Sequence, residues 1–348
     1  MFSSITLKNY RSYTESSFEF GEGVTIIIGP NASGKTNLLE AVYVLCQGGA
    51  FRSGDKDLIR SGMAWARVDS VVSNQSRVLK LSESQPRTKK IIEIDDSPKT
   101  RLTFQETIPV VLFEPDDSRI VGGSPERRRL YIDTLLCNIS PAYKKNLAQY
   151  KRALKQRNNL LKSGAGKDSM FAWNMVLARH ASEIVILRVE LIEKLNKDLS
   201  DIYGELASKD HNVTISYDPV PHSTNYLQSY IHKLEKSYEL DNLRGFTSIG
   251  PHRDDIKIYI DGKDAGLFAS RGEGRTITLA LKILEMRLIE QVRGQKPILL
   301  LDDVFSELDG TRRRMLTSYL KDHQTIITTT DADIVGKKFA RLATLISL

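Results

Sequence analysis

The string Gly29-Pro30-Asn31-Ala32-Ser33-Gly34-Lys35-Thr36 is an uninterrupted G-x-x-x-x-G-K-T pattern. Glycines let backbone N–H groups close around phosphate oxygens, and a helix N-terminus adds further donors and positive dipole. Lys35 is placed to neutralise β- and γ-phosphates and the Thr36 hydroxyl to hold Mg²⁺, with Asn37 leading into the helix. A glycine turn at any strand–helix junction has a similar look. Here both flanks match: Val24–Ile28 reads as a buried strand, and Leu38, Val42 and Leu45 share one helical face. The pattern points to a nucleoside triphosphate.

A second set lies near the C-terminus. Ile298–Leu301 is a fully apolar strand that ends on two carboxylates, Asp302 and Asp303. Asp302 is placed to hold the metal and Asp303 to orient or deprotonate the attacking water. The plainer alternative is that one aspartate only caps the next helix. Ser306-Glu307-Leu308-Asp309 follows at once. A third set, Ser270-Arg271-Gly272-Glu273-Gly274, opens a helix expected over Arg275–Gln291, where Ser270 and Gly272 could grip a phosphate. That loop is weak evidence alone, but its order before the helix, the strand and the aspartate pair is that of ATP-binding-cassette ATPases. There the loop contacts the nucleotide of a second subunit, so ATP lies between head-to-tail monomers.

These sets need a frame. Phe2–Leu7 alternates like a strand, and Val68–Val72, Arg77–Leu81, Lys90–Ile94 and Pro109–Phe113 read as strands of an antiparallel sheet beside the first strand–helix unit. After Pro115 the texture turns helical. Tyr143, Leu147, Tyr150, Leu154, Arg157 and Leu161 form a narrow seam, Gly164-Ala165-Gly166 breaks it, and a second helix is expected over Phe171–Tyr203. Strands return at Val213–Tyr217, Ile256–Ile260 and Thr325–Thr328. At 348 residues the chain is long enough for two lobes.

Charge is concentrated. Ser124–Lys162 holds ten Lys/Arg and two acids, a net +8, while the whole chain carries +7, so the remainder is at −1. Such a block suggests an anionic partner, nucleic acid first. Lys144, Lys145, Lys151, Arg152, Lys155 and Arg157 are the candidate contacts, because no acid relieves their repulsion between Ser140 and Lys162. The alternative is a solvated helical face. Arg127–Arg129 are weaker candidates that could pack on the sheet instead. His252 beside Asp254 and Asp255 lacks further ligands at usable spacing, which favours a structural role over a metal site. Cys46 and Cys137 suit buried thiols in a reducing compartment. With no signal-peptide-like start and no apolar run of membrane length, the expectation is a soluble intracellular chain with no membrane partner.

Taken together, Gly29–Asn37, Ala50-Phe51-Arg52-Ser53, Val111–Arg129, Ile249-Gly250-Pro251-His252-Arg253-Asp254-Asp255, Ser270–Arg275 and Leu299–Asp309 resemble the bacterial RecF recombination-repair ATPases. The resemblance runs essentially end to end. It implies an α/β fold: an ABC/SMC-type P-loop ATPase head with a flanking antiparallel sheet and an inserted helical second lobe. The expected division is 1–115, 116–245 with the basic arm, and 246–348 completing the head. It further implies ATP and Mg²⁺ as cofactors, binding to single-stranded, gapped or junction and duplex DNA with ATP-dependent homodimerisation there, and slow hydrolysis as a release timer. RecO and RecR are the implied partners in loading RecA, with links to replication and the SOS response, in the cytoplasm at the nucleoid. By position, Lys35, Asp303 and Thr330 are carried over as catalytic, Thr36 and Asp302 as metal-holding, Gly29–Asn37 with Ser270 and Gly272 as nucleotide-binding, and Ser306 and Asp309 as the dimer-facing loop. The family usually has glutamines where this chain has Arg271, Glu273 and Gly274. Thr330 stands where transporters carry a switch histidine, and no Q-loop glutamine is found near Glu114-Pro115. Two rivals remain, a DNA clamp without obligatory turnover and a transporter ATPase subunit.

Overall fold

The computed structural model describes residues 1–84, 88–207, 209–221, 225–330 and 343–348. The chain divides into two compact units, Met1–Asp117 with Met286–Leu348, and Ser118–Glu285.

The first unit contains a five-stranded parallel sheet in the order Thr344–Ser347, Val24–Ile28, Thr325–Thr329, Ile298–Asp302, Val110–Phe113. Parallel strands covered on both faces read as unbroken apolar runs, and Leu299, Leu300 and Leu301 are wholly buried. The strand expected at Pro109–Phe113 does not join the antiparallel sheet; Val110–Phe113 pairs parallel to Ile298–Asp302 instead. An apolar run of four residues does not distinguish the two pairings. The register sets Thr328 opposite both Asp302 and Ile27, so three strand ends share one edge. That edge is where open parallel sheets bind ligands.

The unit also contains a six-stranded antiparallel sheet among the described residues, in the order Tyr13–Glu19, Phe2–Tyr10, Trp65–Val72, Gln75–Ser82, Lys89–Ile94, Ser97–Lys99. Helix Lys35–Gln47 joins the two sheets through one core: Leu38, Val42 and Leu45 cluster with Ile5, Leu7, Val68 and Leu79 and with Leu300 and Ile326. Cys46 lies in this core, where burial pushes its thiol up to about 12, and both cysteines are free thiols.

The second unit is built on helices Pro125–Ile139, Pro141–Lys162 and the 41-residue Lys167–Ala207. The last of these is about 60 Å long at 1.5 Å per residue. Pro141 stands in the first turn of its helix, and the Ser140 hydroxyl accepts from the Tyr143 amide at 3.1 Å, an N-cap. Gly164, at φ +69°, supplies the break between the two long helices. One stripe of the Lys167–Ala207 helix, Leu177, Ala181, Ile184, Leu191, Leu195 and Ile202, is buried throughout. The unit also contains helices Tyr226–Lys236 and Tyr238–Arg244 and an antiparallel sheet. In that sheet Ile256–Ile260 pairs with Val213–Tyr217, so the segment expected to rejoin the head at residue 246 stays in the second unit until Glu285. Among the described residues no helix is long and apolar enough to cross a membrane.

Candidate nucleotide site

The phosphate-loop residues connect strand Val24–Ile28 to helix Lys35–Gln47. Gly34 holds φ +106°, and a Cβ there would lie 2.9 Å from the Tyr13 hydroxyl, which itself donates to the Gly34 carbonyl at 3.1 Å. A Cβ on Gly29 would come within 2.6 Å of Ser33 Oγ. The left-handed backbone at Gly34 requires glycine, and a side chain at Gly29 would displace the Ser33 hydroxyl. Ala32 takes φ +66°, a conformation non-glycine residues rarely adopt and that clusters at ligand clamps. Lys35 is buried, and its Nζ donates to the carbonyls of Gly29 (2.7 Å) and Pro30 (2.8 Å). The ammonium thus lies across the mouth of the loop. Ser33 Oγ is buried without a hydrogen-bond partner among the described residues.

The Asp302 carboxylate meets the start of that helix. Thr36 Oγ1 donates to it (2.8 Å to Oδ1, 3.0 Å to Oδ2), and Thr328 Oγ1 donates to Oδ1 at 2.9 Å. Arg52 Nη2 reaches Oδ2 at 2.6 Å while its Nε contacts Glu114 Oε1 at 3.1 Å. Ala50–Ser53 stands out in the sequence only as part of a motif, in which Arg52 has no role of its own. Nothing local signals one, since the bond spans 250 residues. Asp303 follows in a left-handed conformation, φ +52°, its amide bonded to Thr328 O (3.2 Å) and Oγ1 (3.0 Å). Its Oδ1 is buried with no partner among the described residues. Buried polar atoms are rarely left unpaired, and an exception calls for an explanation such as a catalytic role.

Lys35, Thr36, Asp302 and Asp303 thus come together in the first unit. Ser306 Oγ, exposed, donates to the Asp303 carbonyl at 2.7 Å. Asp309 is the N-cap of helix Gly310–Leu320 and accepts from the Arg312 amide at 2.9 Å, which holds its carboxyl below the usual range. Thr330 is exposed just past strand Thr325–Thr329. Ser270 and Gly272 belong to the second unit. Their helix begins at Arg271, four residues earlier than expected, and both glycines lie in its first turns. Ser270 and Glu273 cap each other: the Ser270 amide donates to Glu273 Oε2 at 2.7 Å and the Glu273 amide to Ser270 Oγ at 3.3 Å. Glutamate and glutamine both serve in this box, so Glu273 preserves the local geometry.

The basic helix needs one correction. Lys144, Lys145, Lys151, Arg152 and Lys155 are exposed, but Arg157 is fully buried. Its guanidinium donates to Asp241 Oδ2 (2.8 Å), Thr247 Oγ1 (2.7 Å) and Asn174 Oδ1 (2.9 Å). It belongs to the seam and not to the outer face. Arg128 pairs with Asp255 at 3.0 Å and Arg129 donates to the Asp254 carbonyl at 2.7 Å. His252 is pinned between the Tyr150 hydroxyl (2.6 Å at Nδ1) and the Thr247 carbonyl (3.1 Å at Nε2).

The family described as RecF/RecN/SMC N terminal domain matches residues 1–346. The "DNA replication and repair protein RecF" of Streptococcus pyogenes serotype M49 is 36% identical over 338 residues, 94% of this chain and 92% of the relative. The chain belongs to the RecF family. The serotype M1 protein of the same name gives the same identity and coverage. A solved structure described as "Structure of the recombination mediator protein RecF-ATPrS in RecFOR pathway" superimposes with TM-score 0.86 and 32% identity, covering 96% of this chain and 93% of that one. An SMC head bound to the C-winged helix domain of ScpA matches at TM-score 0.52 and 16% identity, a likeness of fold alone. The RecF-family chain is thus an ABC/SMC-type α/β ATPase, and its phosphate loop and aspartate pair sit at one strand edge as that chemistry requires.

Proposed function

We propose that this chain is an ATP-dependent DNA-binding protein of recombinational repair. Two copies close head to tail around ATP on gapped or junction DNA, and slow hydrolysis releases them. The names of the streptococcal relatives and of the RecF structures of the RecFOR pathway support DNA replication and repair, ATP as the nucleotide, and RecO and RecR as partners. The observation that carries the enzymatic part is the Oδ1 of Asp303, without a partner among the described residues and buried next to an Asp302 whose two oxygens are both engaged. One carboxylate is free to take a water and the other is committed to a cation site.

Thr36 Oγ1 and Asp302 are hard oxygen donors 2.8 Å apart, the donor type Mg²⁺ takes beside phosphates. The residues fit the ion, which would neutralise charge on the β- and γ-phosphates when bound. Lys35 leaves two carbonyls to meet the same phosphates, and Ser33 Oγ gains a partner. Ser270 and Gly272 of the second copy would contact the nucleotide in trans, Ser306 and Asp309 would face that copy, and Thr330 would sense the γ-phosphate. The exposed Lys144, Lys145, Lys151, Arg152 and Lys155 would meet DNA phosphates.

Mass photometry with Mg·ATP, Mg·ADP or no nucleotide, with and without gapped duplex, tests the reading. Dimers are expected with ATP alone among the three, stabilised by gapped DNA. Asp303→Asn is expected to trap the ATP dimer on DNA, and Lys35→Ala to abolish nucleotide binding. A monomer under saturating, uncleaved Mg·ATP with gapped DNA would overturn it. Turnover and release by the Asp303 variant at the parent rate would leave a clamp that does not depend on this residue.

A further inference from the structure

Both oxygens of Asp302 are engaged. Its Oδ1 takes the Thr36 and Thr328 hydroxyls, and its Oδ2 takes the second Thr36 contact and the Arg52 guanidinium at 2.6 Å. Three of these four contacts come from hydroxyls, neutral donors that can stay while a cation binds nearby. The fourth is a full positive charge on the oxygen that a metal ion would draw upon. Arg52 differs from those neighbours in another way: 42% of its side chain is exposed, whereas Asp302 is almost wholly enclosed. The arginine also has two other seats. Glu114 Oε1 is 3.1 Å from its Nε, and the Phe51 ring lies 5.4 Å from its guanidinium carbon, braced edge-on by Tyr43. It can leave Asp302 without losing every partner.

We infer that Arg52 is a stand-in for the metal ion: it neutralises Asp302 before Mg·nucleotide arrives, and gives up that carboxylate to Mg²⁺, retaining Glu114. Two cations on one carboxylate oxygen repel, so binding of one costs the other its site. The arrangement keeps a nearly buried carboxylate paired in the empty protein, where an unpaired one would be costly. It also sets a threshold of Mg²⁺ below which the site stays closed to metal. This inference rests on the proposed Mg·ATP site, and the test separates the two.

The test is the free Mg²⁺ concentration giving half-maximal binding of a fluorescent ATP analogue, read by anisotropy from chelated to millimolar Mg²⁺. Arg52→Ala removes the competing cation, so its half-saturation point falls, on the order of fivefold for a half-exposed charge-assisted bond. Glu114→Gln takes away the alternative charged seat, so Arg52 holds Asp302 harder and the point rises. Opposite signs in the two variants are the signature. A second readout is the melting temperature: Arg52→Ala melts below the parent in chelator, and the gap closes with saturating Mg²⁺ and the analogue. An Arg52→Ala point that is unchanged, raised or lost would overturn the inference and make Arg52 a positioning residue for Asp302. So would a lowered point in Glu114→Gln. Absence of analogue binding by the unaltered protein at every Mg²⁺ concentration would instead overturn the nucleotide site itself.

Discussion

Asp302 and Asp241 are both nearly or wholly buried carboxylates paired with an arginine, yet their surroundings differ in one decisive respect. Arg157 and Asp241 are each 0% exposed and closed in by further bonds, the carboxylate also accepting from the Ser248 amide (3.0 Å), Ser248 Oγ (2.6 Å) and Ser237 Oγ (3.1 Å). Arg52 keeps 42% of its side chain in solvent. An arginine with no route to water is a pin; one with an exposed stem can be exchanged for another cation. The same ion pair therefore does structural work in the helical unit and is available for chemistry in the ATPase unit.

The largest effect should come from breaking the pin. Arg157→Met strands Asp241 as an uncompensated buried charge, and roughly 3–5 kcal/mol of stability should disappear. Denaturant unfolding followed by circular dichroism measures it. The double variant Arg157→Met with Asp241→Leu should recover part of that deficit, since it removes the stranded charge but leaves the Ser248 amide and the Ser237 and Ser248 hydroxyls without this acceptor. Arg52→Ala, by contrast, should cost no more than about 1 kcal/mol in metal-free protein. Equal destabilisation in the two single variants would erase the distinction between the regions.

A smaller effect follows from His252, which locks the same helical unit. Burial, against the Thr247 carbonyl contact and beside Arg253 and Arg129, lowers its pKa from 6.5 to about 4. The folded state therefore prefers the neutral ring. Its contribution is complete above pH ~6.5 and is lost as pH falls toward ~4, up to about 3 kcal/mol at full protonation. Carboxylates titrate in the same window, so the diagnostic is the difference between parent and His252→Gln unfolding curves at pH 7.5 and 4.5. The parent should lose more stability than the variant. Parallel declines would show that the ring carries no such linkage.

The same contrasts separate what a linear chain declares from what only folding creates. The phosphate loop and the aspartate pair are contiguous strings whose flanks declare a strand before and a helix after, so local sequence is enough to place Lys35, Thr36, Asp302 and Asp303. Arg52 escapes such a reading because only the folded sheet brings it to Asp302. Arg157 fits two patterns at once, the charge run and the 4-3-4 seam. Counting charge along the chain assigns it to DNA, whereas helical periodicity places it inside. The early start of the Arg271–Arg293 helix is hidden by Gly272 and Gly274, residues with poor intrinsic helix propensity. The capping pair Ser270 and Glu273 compensates for them.

That cap supplies a prediction of about 1 kcal/mol. Ser270→Ala removes the acceptor for the Glu273 amide and should lower stability by about that amount. Ser270→Asp keeps a capping oxygen and should restore it. If Ser270 also meets a phosphate in trans, the aspartate variant should still fail to dimerise with ATP, because it places negative charge at that contact. Dimerisation restored along with stability would confine Ser270 to its helix.

The smallest effect on stability, and the sharpest contrast with Arg157, belongs to the outer face of the same helix. Lys144, Lys151 and Lys155 are spaced seven and four residues apart, which aligns them on one exposed stripe. Lys145 and Arg152, also seven apart, form the neighbouring stripe. None of the five has an ion pair with another described residue, and each change to glutamine should leave stability within about 0.5 kcal/mol. DNA affinity should respond instead. Removing one phosphate-binding side chain should reduce the slope of log K against log salt by about 1, uniformly across DNA sequences. If the first stripe is the DNA face, its triple glutamine variant changes the slope by about 3 while Arg157→Met, after correction for unfolded protein, changes it by none. A slope unmoved by both stripes would remove this helix from the DNA surface and leave its charge as solvated side chains alone.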